Sequence, residues 1–310
     1  LKGLTPYENS HPPLGKILIM AGIALFGMTP FGWRFSGALF GVLMLPVLYA
    51  LCRRLTKKPK WAFFAAALFA CDFMHFTQTR IATIDVFVVL FILLQYYFML
   101  LYTQRSFYRD GLKNTLWPLA MSGVCFGLGA ASKWTGIYAG AGLAVIFFLH
   151  LYKHLKEYRL ARAEADEARI AATACFPRYA LYTLLWCVLF FIAIPVGIYL
   201  LSYLPYFLCK ESPYDLAGVW EVQKFMFNYH SSLTATHPYE SRWYTWPFDV
   251  RPIWYFWSDL GAEVSAVYEG SILSLSCFGN PAVWLPGIAG LIALAVQRLR
   301  RRAPQNAAAS

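Results

Sequence analysis

The sequence predicts an all-α polytopic membrane protein, and its composition and charge distribution are the observations that predict this fold class. Of the 310 residues, 59% are hydrophobic, 18% are aromatic and only 14% are charged, and the mean hydropathy is +0.48. Soluble domains carry about 25% charged residues, so this chain is too apolar to be one. The cations behind the net charge of +11 concentrate in short links between apolar runs. This distribution indicates membrane topology rather than a nucleic-acid partner.

Apolar runs of about 17 to 25 residues are long enough to cross a bilayer, and we identify about seven of them. They cover residues 33–51, 61–79, 86–102, 116–131, 136–152, 179–203 and 282–297. The link 52–60 contains five basic residues and no acidic residue, which predicts that it is cytoplasmic. Strict alternation then places the segments 103–115, 153–178 and 298–310 on the cytoplasmic side as well.

Two segments are predicted to stay at the outer surface. The apolar run 17–28 has only 12 residues, so we expect a short helix along the interface. Residues 204–281 are rich in Trp, Tyr and Pro and are expected to form one large external loop with short surface helices.

This topology divides the chain into regions. They are a membrane core (1–152), a charged cytoplasmic connector helix (153–178), a C-terminal membrane region (179–297) and a cytoplasmic tail (298–310).

Ionisable residues interrupt the apolar sequence between positions 70 and 90. Asp72 and His75 lie one helical turn apart, and Arg80 and Asp85 bound the link that follows. Charges at membrane depth are costly and persist where they face a protein interior or a wet cavity, so a functional site is predicted here. Two structural alternatives stay open. In the first alternative, Asp72 and His75 only tie two helices together by a buried hydrogen bond. In the second, Arg80 and Asp85 only form an ion pair at the membrane interface.

Each outward-facing link of the predicted topology also carries a cation. Lys16, Arg80, Lys133 and Arg242 are therefore expected to converge with Asp85 at one membrane face. Cations bind phosphate and a carboxylate performs proton chemistry, so the set predicts a site for a phosphate-bearing lipid. The alternative is that the lysines are ordinary interfacial anchors and the tryptophans of the loop an aromatic belt.

The cysteines do not indicate a metal or a disulfide framework. All seven lie in or beside apolar runs, without CxxC or Cys/His ligand spacing. We therefore expect no zinc site among the cysteines, no metal ligands in the predicted site and no cofactor, while a requirement for a divalent metal stays open.

Five motifs along the chain resemble the protein O-mannosyltransferases, and most closely the bacterial members that use polyprenyl-phosphate mannose. They are HPPLGK (11–16), DFMHFTQTRIATID (72–85), SKWTG (132–136), HPYESRWYTWP (237–247) and GNPAVW (279–284). The resemblance implies a GT-C glycosyltransferase of the cell membrane that moves mannose, with inversion, from the lipid phosphate to Ser or Thr hydroxyls on the extracytoplasmic side. The implied partners are polyprenyl-phosphate mannose, secreted acceptor proteins, the lipid bilayer and export machinery.

The resemblance also marks individual residues. The end of the family's first outer loop is matched by His11 and Lys16. The family's Arg-x-x-x-x-Asp element is matched by Arg80 and Asp85. Its external C-terminal motif is matched by His237, Tyr239, Ser241 and Trp246. In the family, an acidic pair regarded as the catalytic base begins the first outer loop, and we expect it upstream of Leu1. The membrane regions are accordingly expected to be parts of a larger transferase core.

The predicted site combines these residues with the converging charges. Asp85 has a supporting catalytic role. Donor phosphate and sugar are expected to bind at His11, Lys16, Asp72, His75, Arg80 and Lys133. The acceptor or loop site is expected at His237, Tyr239, Ser241, Arg242 and Trp246.

Two other functions stay open at the level of sequence. One is a transferase of the same fold that moves another lipid-phosphate sugar to a glycolipid. The other is a transporter in which Asp72, His75 and Arg80 form a relay. Against the transporter, the ionisable groups cluster at one membrane face, and no paired broken helices indicate an inverted repeat.

Labelling with a membrane-impermeant thiol reagent tests the predicted topology. Ser231→Cys, in the external loop, is expected to react in intact cells, whereas Ala168→Cys, in the connector, reacts only after permeabilisation. The unmodified protein supplies the background from the seven native cysteines. Reaction of Ser231→Cys only after permeabilisation would place the loop on the cytoplasmic side.

Overall fold

Helices account for most of the structure, a computed structural model that describes residues 9–209, 214–234, 239–259 and 272–302. In chain order they are α1 Leu14–Phe26, α2 Pro30–Thr56, α3 Pro59–Ala70, α4 Phe73–Gln78, α5 Asp85–Thr103, α6 Phe107–Ser132, α7 Thr135–Ala163, α8 Glu167–Thr173, α9 Phe176–Val188, α10 Ile194–Ser202, α11 Leu204–Phe207, α12 Leu216–Ser232 and α13 Pro281–Arg302. A π-helical turn, Leu189–Ala193, joins α9 to α10. A 3₁₀ helix, Trp243–Phe248, precedes the antiparallel strands β1 Ile253–Asp259 and β2 Ile272–Cys277.

Membrane-length helices confirm the predicted class. In the described ranges, six segments are long and apolar enough to cross a bilayer. They are α2, α5, α6, α7, the stretch Glu167–Phe207 and Pro281–Arg300. Each corresponds to one predicted span, and the short predicted helix at 17–28 is present as α1. The chain is a multi-pass membrane protein.

The structure differs at the predicted span 61–79, which is not one helix. α3 ends at Ala70, and Asp72 is the N-cap of α4, where its Oδ1 accepts a hydrogen bond from the Met74 amide at 3.2 Å. An Asp that binds a backbone amide two residues ahead starts a new helix instead of continuing the old one. The 12 residues of α3 are too few to cross a bilayer alone.

The predicted connector 153–178 is also divided. α7 continues to Ala163, and the chain then turns through Ala165, whose φ is 50°. Asp166 caps α8 by accepting from the Arg169 amide at 3.0 Å. The Ala-rich composition predicted helix throughout, but this cap separates α7 from α8, and α9 begins within the same range, at Phe176.

The region 204–281, which was predicted to be external, contains the predicted short helices, α11 and α12, together with a two-stranded sheet that the sequence pattern does not predict. The register of the sheet shifts between Trp254 and Phe256, so Tyr255 lies at a bulge. A bulge redirects the side chain it carries, and here that side chain reaches the site described below.

The helix α5 is the centre of the packed helices. Near its start, the buried Phe87 ring meets Phe40 of α2 edge-on, with the ring centroids 4.7 Å apart. Towards its end, Met99 and Tyr102 pack with Leu119 of α6 and with Leu143 of α7. Both ends of α5 are thereby fixed against neighbours, which positions the residues at each terminus.

The backbone of α6 lies very close to the π-helical turn. A Cβ atom added at Gly123 would lie 2.2 Å from the carbonyl oxygen of Phe190, whereas a Cβ at Gly197 of α10 would meet nothing within 4 Å. Small residues permit such close helix approach in membranes.

Substitution of Gly123 tests this contact. Gly123→Ala is expected to lower the apparent melting temperature in detergent, because overpacking against backbone costs about 1 to 3 kcal/mol. The matched control Gly197→Ala is expected to leave it unchanged or slightly raised, since Ala favours helix. An equal effect of the two substitutions would argue against the close contact.

Candidate active site

A large cavity lies between α2, α3, α5 and α13. Its volume is about 1070 Å³. One part of its wall is polar and is formed by Asp72, His75, Gln78, Asp85, Lys133 and Tyr255. Another part is apolar and includes Met44, Leu48, Phe64, Leu68, Val89 and Val283. The cavity therefore suits a molecule with a polar head and an apolar chain.

An ion pair joins two of the predicted residues at the polar wall. Lys133 Nζ lies 2.8 Å from Asp85 Oδ1. Asp85 is the first residue of α5, where the helix dipole favours a negative charge, and Lys133 is the C-cap of α6. Both side chains are partly exposed, so their mutual attraction is worth about 0 to 1 kcal/mol and leaves both free to engage a ligand.

Arg80 does not form the ion pair with Asp85 that was one predicted alternative. Its guanidinium lies over the Phe76 ring, 3.6 Å from the centroid, and the side chain is exposed. Lys133, from the SKWTG motif, lies next to Asp85 instead. Arg80 is outside the cavity wall, although it lies in the link between α4 and α5 that precedes Asp85.

Asp72 is buried and ties three elements together. Its carboxylate accepts from Trp284 Nε1 at 3.0 Å and from the Asn280 amide at 3.4 Å, in addition to the α4 cap. Asn280 Nδ2 donates to the Cys71 carbonyl at 2.9 Å. These bonds anchor the start of α13 to the break between α3 and α4, which agrees with the helix-tying alternative for Asp72. His75 instead packs its ring against Phe69, with the centroids 4.2 Å apart.

The two-stranded sheet completes the polar wall. Gln78 Nε2 donates to the Tyr255 hydroxyl at 2.6 Å, and Thr83 Oγ1 donates to Gln78 Oε1 at 3.3 Å. Burial raises the pKa of Tyr255, so its phenol stays protonated at neutral pH and its O–H can donate to a ligand. A hydrogen-bonded path thus leads from the link before α5 to strand β1.

The N-terminal HPPLGK motif packs on the helix α12. The rings of His11 and His230 stack at 5.2 Å, and His230 Nε2 lies 2.8 Å from the Ser10 carbonyl oxygen. Lys16 Nζ donates to the His11 carbonyl at 3.3 Å. Gly15, next to Lys16, packs directly against Ile84, so the motif adjoins the start of α5.

Trp134 connects the SKWTG motif to the same helix, α12. Its Nε1 donates to the Tyr199 hydroxyl at 3.1 Å, and that hydroxyl donates to Gln223 Oε1 at 2.5 Å. Gln223 lies in α12. The SKWTG motif thus supplies a lysine to the cavity and a tryptophan to the packing of α12.

The predicted loop residues form a separate local cluster. Tyr239 packs edge-on against Trp254 at 5.5 Å, Trp246 Nε1 donates to Ser241 Oγ at 3.0 Å, and Arg242 Nη1 donates to the Tyr244 hydroxyl at 3.3 Å. None of the four predicted residues described, Tyr239, Ser241, Arg242 and Trp246, lies in the cavity wall. His237 lies outside the described residues.

Three residues of the site escaped prediction. Gln78 was visible within the polar stretch, and Trp284 lies in the GNPAVW motif, so both had a signal in the sequence. Tyr255 had none, because the chain around it is aromatic throughout and only the bulge directs this side chain to the cavity.

Comparison with known families identifies the chain. The family model described as dolichyl-phosphate-mannose-protein mannosyltransferase matches residues 26–209, more than half of the sequence. The chain belongs to this family. A second model, described as the C-terminal four TMM region of protein-O-mannosyltransferase, matches residues 216–307. The resemblance seen in the five motifs is confirmed.

Curated relatives carry related names. The polyprenol-phosphate-mannose–protein mannosyltransferase of Mycobacterium tuberculosis is 26% identical over 313 residues, which cover 88% of this chain and 57% of that protein. The protein of the same name from Corynebacterium glutamicum is 28% identical and is covered to 58%. The present chain therefore spans a little more than half the length of these mannosyltransferases.

A solved structure has the same fold. The Saccharomyces cerevisiae protein O-mannosyltransferase Pmt1–Pmt2 complex bound to the sugar donor matches 64% of this chain and 27% of its own, with a TM-score of 0.51 and 20% identity. This similarity confirms the predicted GT-C-type membrane fold of the mannosyltransferase family.

A double-mutant cycle tests the Asp72 anchor. Asp72→Asn and Trp284→Phe are each expected to lower the free energy of unfolding by about 1 to 3 kcal/mol, the range for hydrogen bonds to charged or buried groups. The double variant is expected to lose much less than the sum of the two, because both substitutions remove the same bond.

Trp220→Phe, at an exposed position of α12, is the control and should leave the stability unchanged. Additive losses in the cycle would show that Asp72 and Trp284 do not act together.

Proposed function

We propose that this chain forms the donor-binding membrane core of an inverting transferase that moves mannose from polyprenyl-phosphate mannose to Ser or Thr hydroxyls of exported proteins. The observation that supports it best is the cavity, whose polar wall holds Asp85 and Lys133 next to a long apolar surface. Family membership and the names of the relatives supply the sugar and the acceptor class.

The donor fits the cavity in one orientation. Its polyprenyl chain lies along the apolar wall between α2, α3 and α13, which includes Leu48, Phe64 and Val283. Its phosphate then lies at the polar wall, where the Lys133 ammonium offers a charge-assisted bond to a phosphate oxygen. The mannose extends towards Gln78 and Tyr255, whose amide and phenol groups are suited to sugar hydroxyls.

The reaction places charge on the phosphate as the sugar leaves. When the acceptor hydroxyl attacks the anomeric carbon from the opposite side, the bond to the phosphate oxygen breaks and negative charge develops there. Lys133 stabilises this charge in a largely apolar cavity, where the interaction is stronger than in water. Asp85 holds Lys133 in place and accepts a hydrogen bond from a sugar hydroxyl, while the proton of the acceptor passes to a separate base.

The charge distribution supports a site on the extracytoplasmic face. Arg54 lies near the end of α2, Arg105 just after the end of α5, and Arg109 near the start of α6. Asp85 and Lys133 lie at the opposite ends of α5 and α6. Because cytoplasmic links carry the excess of Lys and Arg, the arginine end is cytoplasmic and the Asp85 end faces outward. Export machinery would deliver unfolded acceptors to this face.

Transfer of radiolabelled mannose tests the proposal. Membranes that contain the protein are supplied with polyprenyl-phosphate mannose and a Ser/Thr-rich peptide, and label is expected in the peptide. Membranes without the protein are the control. Label found only in solvent-extractable glycolipid would favour a glycolipid transferase instead, and no transfer to any acceptor would contradict the proposal.

Removal of the cavity cation is expected to impair donor use. Lys133→Ala should lower the transfer rate by about ten-fold or more, since a charge-assisted bond contributes about 1.5 to 3 kcal/mol. Lys113→Ala, an exposed lysine at the other end of α6, is the matched control and should have no effect. Equal rates for the two variants would remove Lys133 from the site.

Replacement of Asp85 by Asn distinguishes a supporting role of this carboxylate from the role of the catalytic base. Asp85→Asn is expected to lower turnover by about ten-fold to a hundred-fold, below the loss of up to about 10,000-fold that follows removal of a general base. Donor binding, measured separately, should persist. A folded Asp85→Asn protein that binds donor but shows no transfer would identify Asp85 as the base.

A further inference from the structure

A second cavity lies at the opposite end of the same helices. Its volume is about 380 Å³. Its wall includes Arg54 of α2, Tyr97 of α5, the α5 C-cap Gln104, the next residue Arg105, and Trp117 of α6. Asp85 begins α5, and Gln104 follows its last residue, so a helix rise of 1.5 Å per residue separates the two cavities by roughly 28 Å. That distance is close to the thickness of the hydrocarbon core, about 30 Å.

We propose that this cavity binds the phosphate headgroup of an anionic phospholipid in the leaflet on this side of the membrane. The proposal is independent of the mannosyl transfer, because no residue is common to the two cavities. Basic cavities between transmembrane helices at the cytoplasmic side are known to suit lipid headgroups of this charge.

Two arginines, Arg54 and Arg105, bring positive charge to the wall of the cavity. The ion pairs found within the described part of the chain involve neither Arg54 nor Arg105. The neighbouring carboxylate, Asp110, pairs with Arg109 at 3.2 Å and accepts from the Ser106 amide at 2.8 Å. Asp110 also interacts electrostatically with Arg105. Among the described residues, however, the cavity wall itself contains two guanidinium groups and no carboxylate, which favours an anionic ligand.

Neutral partners hold both guanidinium groups in position. Arg54 Nη1 donates to Gln104 Oε1 at 3.0 Å, and its Nε donates to the Tyr97 hydroxyl at 3.4 Å. Arg105 lies over the Trp117 ring, 5.1 Å from the centroid, and donates to the Asn114 carbonyl. A guanidinium carries five N–H donors, so these contacts orient the groups and leave donors for two phosphate oxygens.

The apolar residues of the cavity indicate that the phosphate belongs to a lipid. Phe98, Leu101 and Trp117 line it beside the arginines, and Trp117 is 44% exposed on the surface of the helices. Tryptophan at such a position typically lies at headgroup depth. An acyl chain can follow Phe98 and Trp117 into the bilayer, whereas inorganic phosphate gains nothing from this surface.

Lipid binding to the purified full chain tests the proposal. Thermal unfolding and native mass spectrometry are recorded in phosphatidylcholine nanodiscs with increasing phosphatidylglycerol. Phosphatidylglycerol is expected to raise the melting temperature and to remain bound. In Arg54→Gln/Arg105→Gln the apparent affinity should fall by about ten-fold or more, because charge-assisted bonds to the phosphate are lost.

Arg53→Gln is the matched control, since Arg53 is exposed on the same turn of α2 but does not line the cavity. It is expected to bind phosphatidylglycerol as the unmodified protein does. An equal loss in Arg53→Gln and Arg54→Gln would show only general attraction to an anionic surface and would overturn the proposal. Protection by inorganic phosphate as strong as that by the lipid would also overturn it, in favour of a free-phosphate site.

A charge-conserving variant covers the case in which the double Gln variant fails to fold. Arg54→Lys/Arg105→Lys keeps both charges but loses the planar fork that holds two oxygens. Weaker retention of phosphatidylglycerol with an unchanged melting temperature in pure phosphatidylcholine is expected. Undiminished retention in this folded variant would contradict binding by the arginine forks.

Discussion

The hydrogen bonds of one buried carboxylate determine the shape of the site. Asp72 caps α4, binds the indole of Trp284 and receives the Asn280 amide, so it fixes both the end of α3 and the start of α13. These helices form two walls of the large cavity, whose polar lining comes from α4 and from the two ends at Asp85 and Lys133. Burial of a carboxylate without such partners would be energetically unfavourable. The hydrogen bonds of Asp72 therefore restrict how α3, α4 and α13 can pack.

The charges of the protein are divided between the two ends of its helices, and each end has its own chemistry. At one end the Asp85 carboxylate and the Lys133 ammonium pair across the start of α5, in a wall that also contains Asp72. At the other end, two arginines held by neutral groups and an aromatic ring supply the charged groups of the cavity wall. The first arrangement suits a reaction in which charge moves, and the second suits stable binding of a fixed anion.

Much of this organisation could be predicted from the sequence, because bilayer thickness imposes helix length and helices have a regular period. Six spans and the short α1 followed from hydropathy, and misplaced charge singled out Asp72, Asp85 and Lys133, which the structure brings together in one cavity wall. The ion-pair partner of Asp85 could not be predicted in this way, because Arg80 is the nearer cation in the sequence whereas Lys133 is the nearer one in the structure. The break at Asp72 and the bulge at Tyr255 also escaped, because both depend on hydrogen bonds between residues that apolar patterning does not register.

The shortness of α3 has a consequence for the surrounding lipid. Twelve residues make a helix of about 18 Å, well below the hydrocarbon thickness of about 30 Å. A bilayer beside such a helix thins to match it. Because α3 forms a wall of the large cavity, the proposed donor lipid, if it entered beside α3, would meet a thinned membrane and would carry its phosphate nearer the level of Lys133. Local thinning of this kind would shorten the path by which a long-chain lipid presents its sugar.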